Sequence, residues 1–448
     1  MDRTDLTQGS ISRSLLRFAL PFLGATFLQF LYAVVDMIVV GQFSDAAGLA
    51  AVNTSSQIMT MITSIITGLT TGGTVLIGQL RGAGQREQVS RTIGNMFTLF
   101  GLAALALTAV LVLSVDRLVA LMQTPAAAVA PARQYLLICA CGTVFITGYN
   151  SVSGVLRGLG DSRRPMCFIA IACVLNICGD LLLVGGFGMG AAGAALATVA
   201  SQGVSFLLAL VVLKRGDLPF DFRLSSFGLE RARAARLLRL GVPLCLQDSL
   251  VNLSFVLITA IVNHIGLDQA AAVGAVERII GFGMLIPIAF LSALSAFTAQ
   301  NMGAGKPERA GRALRITIFT ALALSSVLFL VIQIFPAAVM SLFSQEAPVI
   351  AHGASYLRTY SLDILLVCFV FSFNGFFAGC GHTTFTMANG LTATFLIRVP
   401  LVFFISRISG VTLLEIGVAA PAASAVQITM QIIYYRMGRW RRSSVVSS

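Results

Sequence analysis

Long apolar runs alternate with short polar segments along the whole chain. Runs at 96–115 and 310–334 are long enough to cross a hydrocarbon core about 30 Å thick, which takes about 20 helical residues. Hydropathy and helix breakers predict twelve membrane-spanning helices. Their bounds are roughly 14–41, 48–79, 92–114, 133–157, 165–185, 190–213, 236–264, 270–300, 311–334, 354–378, 384–406 and 411–436. The pattern therefore predicts an all-α polytopic membrane protein.

Composition supports membrane insertion. Hydrophobic residues make up 57% of the 448 residues and charged residues only 11%, whereas soluble domains carry about 25% charged residues. Such a chain has too few charges to cover a water-facing surface. Near the N-terminus, Asp2 and Asp5 interrupt a basic segment, and the apolar stretch after Arg17 continues to Val40 without a small-residue cleavage pattern. We therefore predict a first span here rather than a cleaved signal.

Basic residues are unevenly distributed between the two sides of the predicted spans. Of the 30 Lys and Arg residues, 24 fall on the side of the N-terminus, 4 fall on the opposite side, and Arg278 and Arg398 fall within spans. Because cytoplasmic loops are enriched in Lys and Arg, both termini are predicted to be cytoplasmic. The net charge of +12 is explained by these loops, so no nucleic-acid partner is expected.

The chain carries no motif for metal, disulfide or catalytic chemistry. Its eight cysteines lie in or beside apolar runs without a CxxC pair, and His264, His352 and His382 lie near span ends. Neither set predicts a metal site. The sequence also has no P-loop, no HExxH motif and no nucleophile–base pair. We therefore predict that the protein is not an enzyme, binds no cofactor and does not use ATP.

The two halves of the chain repeat one another. Leu15-Leu16-Arg17 with Pro21 recurs as Leu237-Leu238-Arg239 with Pro243, at an offset of 222 residues. Gly82-Ala83-Gly84 recurs as Gly303-Ala304-Gly305, and Gly154, Gly158 and Gly160 recur as Gly375, Gly379 and Gly381, both at an offset of 221. The nearly constant offset indicates a duplication. It predicts a first lobe at 1–214 (spans 1–6), a cytoplasmic linker at 215–235 and a second lobe at 236–448 (spans 7–12).

The duplication also predicts how the halves are arranged in the membrane. Each half has an even number of spans, so both halves enter from the same side. Their pseudo-two-fold axis then runs along the membrane normal. Substrate sites of transporters lie at such repeat interfaces, and two lobes joined by a linker suit alternating access.

Five carboxylates fall inside predicted spans, where ionisable groups are rare. They are Asp36, Asp180, Asp248, Glu277 and Asp363. A charged side chain at the membrane centre costs at least about 2.5 kcal/mol, so each of these acids is a functional hypothesis.

The acids of the first lobe belong to polar helix faces. Asp36 continues a face begun by Gln29 and Tyr32, while Asn176 and Asp180 lie one turn apart on the fifth span. Carboxylate, amide and hydroxyl oxygens suit a hard cation, so this face can exchange H⁺ or Na⁺. At the repeat offset, Asp36, Asn176 and Asp180 correspond to apolar residues of the second lobe. The polar cluster is therefore not needed for folding.

The second lobe has a different polar set. It consists of Gln247, Asp248, Asn252, Glu277, Asp363 and Arg398. Asp248 and Asn252 share a helix face by their spacing. These residues are candidate substrate ligands. The alternative is a structural ion pair in which Arg398 neutralises Asp363 or Glu277.

Five segments occur in an order that is specific when taken together. They are Pro21 with Tyr32-Ala33-Val34-Val35-Asp36 and Val40-Gly41, then Gln79-Leu80-Arg81-Gly82-Ala83-Gly84, then Gly154-Val155-Leu156-Arg157-Gly158-Leu159-Gly160-Asp161, then Asn176-Ile177-Cys178-Gly179-Asp180, and finally Gly193-Ala194-Ala195-Leu196-Ala197-Thr198. Over essentially its whole length, the chain resembles the multidrug and toxic compound extrusion (MATE) family.

This resemblance implies a V-shaped pair of six-helix bundles that exports organic cations and drugs by antiport with H⁺ or Na⁺. It implies a cation site in the first lobe built from the residues that match Asp36, Asn176, Asp180 and Thr198, and a helix bend at Pro21. Asp363 lies on the tenth span, where part of the family has a functional acid. Glu277 with Arg278 resembles the exporters of Gram-positive bacteria.

The expected protein is thus a secondary exporter of a bacterial inner membrane, monomeric and surrounded by lipid bilayer. A lipid-linked precursor flippase of the same superfamily is one alternative, but it would need a cationic groove, and only Arg278 and Arg398 lie inside spans. A channel is another alternative, although a channel does not need two pseudo-symmetric lobes.

Overall fold

The computed structural model describes residues 5–215, 227–263, 266–408, 410 and 412–441. Most of the predicted linker 215–235, His264 and both chain ends therefore lie outside the described residues. Within the described part of the chain, the structure is helical and contains no strand.

Seventeen α-helices account for nearly all of the described residues. They are α1 (Ile11–Phe43), α2 (Ala46–Gly82), α3 (Arg86–Leu121), α4 (Ala126–Gly158), α5 (Arg163–Asp180), α6 (Gly190–Arg215), α7 (Arg231–Asn263), α8 (Leu267–Gly283), α9 (Leu285–Gly303), α10 (Pro307–Ile334), α11 (Pro336–Ser341), α12 (Ala347–Tyr360), α13 (Leu362–Gly379), α14 (Thr383–Leu391), α15 (Val399–Ile405), α16 (Leu413–Ile416) and α17 (Ala419–Arg436). When helices that run directly into one another are counted as one segment, the described residues contain twelve segments that are long and apolar enough to span a membrane. The predicted all-α class and the twelve spans are confirmed.

Several spans are interrupted in ways that hydropathy does not show. The tenth predicted span, 354–378, is divided at Ser361 into α12 and α13. π-Helical segments occur at Leu181–Gly186, directly after α5, and at Thr392–Arg398, between α14 and α15. A π segment changes which side of the helix the following residues occupy, and such segments are frequent at functional sites. The first segment begins directly after Asp180, and the second ends at Arg398.

The chain forms two compact units that do not coincide with its two halves. The first unit contains Leu20–Cys245, and the second contains Leu6–Ala19 and Leu246–Ser448. The predicted lobe boundaries at 214 and 236 differ from these units because α1 and α7 each pass from one unit to the other. Both crossings lie beside an internal proline, Pro21 in α1 and Pro243 in α7. Each proline removes one backbone hydrogen bond from a continuous helix, and a bend at Pro21 stays a prediction.

Specific hydrogen bonds attach the crossing segments to their units. In the second unit, the Leu6 amide donates to Gln300 Oε1 at 3.1 Å, and Asn301 Nδ2 donates to the Leu6 carbonyl at 3.2 Å. In the first unit, Asn95 Nδ2 donates to the carbonyls of Gly228 and Glu230, at 3.3 and 3.1 Å. Side chains therefore satisfy backbone groups just before each crossing helix begins.

The duplication is visible in the packing of glycines. A Cβ atom added at Gly158 of α4 would lie 2.8 Å from the Thr74 carbonyl oxygen of α2. A Cβ added at Gly379 of α13 would lie 2.6 Å from the Ser295 carbonyl oxygen of α9. Both glycines and both partners are separated by the offset of 221 found in the sequence. The repeated glycines thus mark the closest approach of equivalent helix pairs.

The turns that follow these two helices are also equivalent. Gly160 has φ of 85° and Gly381 has φ of 89°, a left-handed conformation that favours glycine over other residues. The same turn chemistry therefore ends α4 and α13.

We predict that Gly158→Ala and Gly379→Ala each lower the thermal stability of the purified protein. The added methyl group would overlap a backbone carbonyl of the neighbouring helix, and overpacking of this kind typically costs about 1–3 kcal/mol. Gly101→Ala in α3 is the matched control, because no atom lies within 4 Å of its added Cβ. Equal melting temperatures for all three variants would show that these helix pairs do not pack as described.

Candidate functional site

The candidate site of the first unit lies where α1, α5 and α6 converge. Asp36 is on α1, Asn176 and Asp180 are on the last turns of α5, and Thr198 is on α6. Helix α5 packs along α6. Close to these residues, a buried apolar cluster includes Val39 and Val40 of α1, Tyr135 of α4, and Ala194 and Ala195 of α6. The small alanines allow the helices to approach, and the cluster fixes the backbone from which the polar side chains project.

These polar residues are removed from solvent. The exposed fraction is 8% for Asp36, 2% for Asn176 and 0% for Asp180, while Thr198 is partly buried. Burial of two carboxylates is costly unless their oxygens find donors or a cation. The remaining hydrogen bonds therefore decide what this site can hold.

Most of the acceptor oxygens at this site have no donor. Asn176 Nδ2 donates to Thr198 Oγ1 at 3.3 Å, which uses the amide nitrogen and leaves the amide oxygen free. Among the described residues, Asp36 Oδ1, Asn176 Oδ1 and both carboxyl oxygens of Asp180 are buried without a hydrogen-bond partner.

The carboxyl groups of Asp36 and Asp180 lie close enough to interact with each other. Ionised carboxylates can only accept hydrogen bonds. The pair therefore needs a proton, or a hard cation bound by oxygen ligands.

A small cavity shares Asn176 with this site. Its lining includes Gln29 and Tyr32 of α1, Asn176 of α5, and Ser201, Gln202 and Ser205 of α6. The structure thus places Gln29, Tyr32 and Asn176 on one cavity, as their helix faces suggested. The sequence did not lead us to predict the α6 residues Ser201, Gln202 and Ser205 in this lining. Their signal was present, because Thr198, Ser201 and Ser205 are spaced so that they share one face of a helix. Tyr149 of α4 also lines the cavity, and nothing in the sequence pattern indicates that position.

The second unit brings three of its predicted residues together. Asp363 lies in the first turn of α13 and accepts a hydrogen bond from Ser424 Oγ. Arg398 lies at the end of the second π segment, and Glu277 lies on α8. Both acids are close enough to interact electrostatically with Arg398. Within the described residues, however, Arg398 forms no direct ion pair with either acid.

The other three candidates of the second unit lie on α7. Asp248 is an exposed residue of α7, and Gln247 packs against Gly390 of α14. Asn252 is partly buried on the same helix as Asp248.

Histidine and cysteine side chains occupy unrelated positions. His382 Nδ1 shares a hydrogen bond with Tyr434 Oη at 2.8 Å, and the eight cysteines are free thiols. In the part of the chain that the structure describes, no group of three or more His, Cys, Asp and Glu side chains is placed to hold a metal ion.

Twelve spans in two duplicated halves, with buried acids inside the spans, are typical of secondary transporters. Comparison with known proteins agrees with this class. The sequence model of the MatE family matches residues 21–182 and again 243–404. The chain therefore belongs to the MatE family, the multidrug and toxic compound extrusion transporters. The resemblance seen in its sequence is confirmed.

Individual relatives and structures are similar over most of their length. The chain is 29% identical over 443 residues to the probable multidrug resistance protein YpnP of Bacillus subtilis (strain 168), covering 98% of both chains. It is 27% identical over 364 residues to a FAD transporter of Shewanella oneidensis, covering 80% of this chain and 79% of the relative. A crystal structure of MATE in complex with MaL6 matches with a TM-score of 0.91 and 23% identity, covering 100% of both chains. That match supports the fold.

We predict that Asp36→Asn and Asp180→Asn each abolish the stabilisation of the purified protein by Na⁺ or by protons. A ligand that binds only the folded state at 100 times its Kd stabilises that state by about 2.7 kcal/mol, which a melting curve detects. The double variant should be no worse than either single variant, because the two acids hold one ion together. Asp116→Asn is the control, since Asp116 is exposed and pairs with Arg133 at 2.8 Å. Independent, additive losses from the two acids would contradict a shared site.

Proposed function

We propose that this protein exports small organic cations and drugs by antiport with H⁺ or Na⁺. The observation that carries the proposal is the set of buried acceptor oxygens on Asp36, Asn176 and Asp180 that lack a donor. Such a set is costly to bury empty and is stabilised by one proton or one hard cation. A site of this kind supplies the ion-binding half of an antiport cycle.

The exchange requires that ion and substrate favour different conformations of the protein. A ligand shifts a conformational equilibrium only through its differential affinity for the two states. We propose that the ion at Asp36 and Asp180 stabilises one state and that a bound substrate stabilises the other. The adjoining polar cavity, lined by Gln29, Tyr32 and Asn176, is the proposed first contact for polar groups of the substrate.

The proposed substrates are cations because the buried charges of the chain are mainly acidic. A cation in a site of low dielectric is favoured by carboxylates and by aromatic faces. Relatives named as multidrug resistance proteins support this substrate class. One relative is named as an FAD transporter. FAD is an anion, and an anionic substrate would need cationic side chains inside the membrane. Apart from Arg398 and the exposed Arg278, the cationic side chains of this chain lie at or beyond the ends of the predicted spans.

We further propose that the protein acts as a monomer in the bacterial cell membrane, with both termini and the linker 215–235 in the cytoplasm. The excess of Lys and Arg on that side supports the orientation. The bacterial origin of the relatives supports the membrane.

Transport in proteoliposomes tests the proposal directly. An organic-cation dye is offered under an imposed pH gradient and, separately, under an imposed Na⁺ gradient. We expect at least one gradient to drive uptake or release by the wild type, and we expect Asp36→Asn and Asp180→Asn to lower the driven rate to that of protein-free liposomes. Asp116→Asn should transport like the wild type. If the Asp36 and Asp180 variants keep gradient-driven transport with unchanged ion dependence, the first unit does not contain the coupling site.

We predict that Asp248→Asn and Glu277→Gln change which drugs are exported while leaving ion binding in place. Both acids lie in the second unit. Neither belongs to the group of buried oxygens without donors on Asp36, Asn176 and Asp180 in the first unit. The measurement is the export rate of a panel of cationic drugs, together with the ion-dependent melting temperature of each variant. We expect the rates for different drugs to fall unevenly. Loss of all transport together with loss of the ion-dependent shift would contradict this division between the two units.

A further inference from the structure

The second unit contains a partly buried cation, Arg398, which forms no direct ion pair within the described residues. Arg398 Nη2 donates to Tyr360 Oη at 2.8 Å. The guanidinium carbon lies 4.3 Å from the centroid of the Phe255 ring and 5.8 Å from that of the Tyr360 ring. All three residues belong to the second unit, and Arg398 lies within the span Thr383–Ile405. A hydroxyl group and an aromatic face thus fix the position of the charge.

Two acids face this cation from other helices. Glu277 approaches from α8 and Asp363 from α13, and both interact electrostatically with Arg398. Asp363 is 6% exposed and takes its hydrogen bond from Ser424 of α17. The remaining titratable neighbour is Tyr356 of α12. We call Glu277, Tyr360, Asp363 and Arg398 the Arg398 cluster.

The duplication shows what Arg398 replaces. At the offset of 221, Asn176 of the first unit corresponds to residue 397. A π segment holds one more residue than the α-helical path it replaces, and the segment Thr392–Arg398 ends at Arg398. Arg398 therefore falls on the helix face that residue 397 would occupy in an unbroken α-helix. In the first unit, the π segment begins only after Asp180.

The two units thus place different groups at equivalent positions. The first unit has an amide beside two carboxyl groups, and three of their four oxygens are buried without a donor among the described residues. The second has a guanidinium beside two carboxyl groups. A permanent positive charge near two acids lowers the electrostatic cost of burying them. It also repels any further cation that would enter the same space.

We propose that Arg398 is a built-in cation that takes the place of a coupling ion in the second unit, so that only the first unit binds H⁺ or Na⁺. This inference rests on the proposed function, because it assumes that the ion binds at Asp36 and Asp180. It has a direct chemical consequence. Removing the guanidinium leaves the carboxylates of Glu277 and Asp363 with the hydroxyl of Tyr360, a set of oxygens suited to a small monovalent cation.

The test introduces Arg398→Gln into a chain whose first site is disabled by Asp180→Asn, and it measures how Na⁺ and pH shift the melting temperature. Asp180→Asn alone should show no shift. The double variant Asp180→Asn with Arg398→Gln should regain an ion-dependent shift, and addition of Asp363→Asn should remove it again. Asp180→Asn with Arg398→Lys should show no shift, because lysine retains the charge.

Two results would overturn the inference. One is a folded double variant, with a cooperative melting transition, that does not respond to ions. The other is an ion-dependent shift that survives in Asp180→Asn alone and disappears when Asp363→Asn is added, because the wild-type second unit would then already bind the ion.

A second measurement covers the case in which Arg398→Gln does not fold. In the otherwise wild-type chain, Asp363→Asn should keep the full ion-dependent shift, and loss of that shift would also overturn the inference. Failure of the proposed function has a separate result. In that case the shift survives Asp36→Asn, Asp180→Asn and Asp363→Asn alike, so the ion binds at neither acid group.

Discussion

The constraint on which the rest of this structure depends is the burial of Asp36 beside Asp180. Two unit charges 4 Å apart repel by about 4 kcal/mol at an effective dielectric constant of about 20, and burial adds a desolvation cost for each. The pair therefore persists only with a proton or a cation between the oxygens, or with compensation from elsewhere. Compensation from protein donors is scarce, because Asp36 Oδ1 and both Asp180 oxygens have none among the described residues. Under the proposed function, a bound H⁺ or Na⁺ supplies this compensation.

Rigid packing around the pair makes this constraint effective. Val39 and Val40 on α1 and the alanines at 194 and 195 on α6 are buried in one apolar cluster, so the helices cannot easily separate to hydrate the acids. Glycines at helix contacts have the same effect, because Gly158 has no room for a methyl group beside the Thr74 carbonyl. Close packing of the scaffold thus keeps the carboxyl groups together.

The two units share their helix packing but differ in their buried polar residues. The glycine contacts of α4 with α2 recur between α13 and α9 with the same spacing. Both halves therefore pack this pair of helices in the same way. The charged groups do not recur. Asn176 and Asp180 have apolar counterparts in the second half, and we infer that the π segment ending at Arg398 brings this residue to the position equivalent to Asn176. A single extra residue in a helix can therefore change the charge of a buried site without changing the fold.

The sequence by itself determined the all-α class, the twelve spans and the family, because membrane spans need long apolar runs and the duplicated glycine motifs keep a fixed spacing. It also singled out Asp36, Asn176 and Asp180, because polar residues are costly in a membrane and therefore conspicuous. Tertiary structure alone decided which acceptors lack donors, that Ser201, Gln202 and Ser205 line the cavity, and that Arg398 pairs with Tyr360 and Phe255 rather than directly with an acid. It alone also showed that α1 and α7 pass between the units beside Pro21 and Pro243. These features depend on π segments, on side-chain hydrogen bonds and on contacts between residues distant in sequence, none of which alters the hydropathy along the chain.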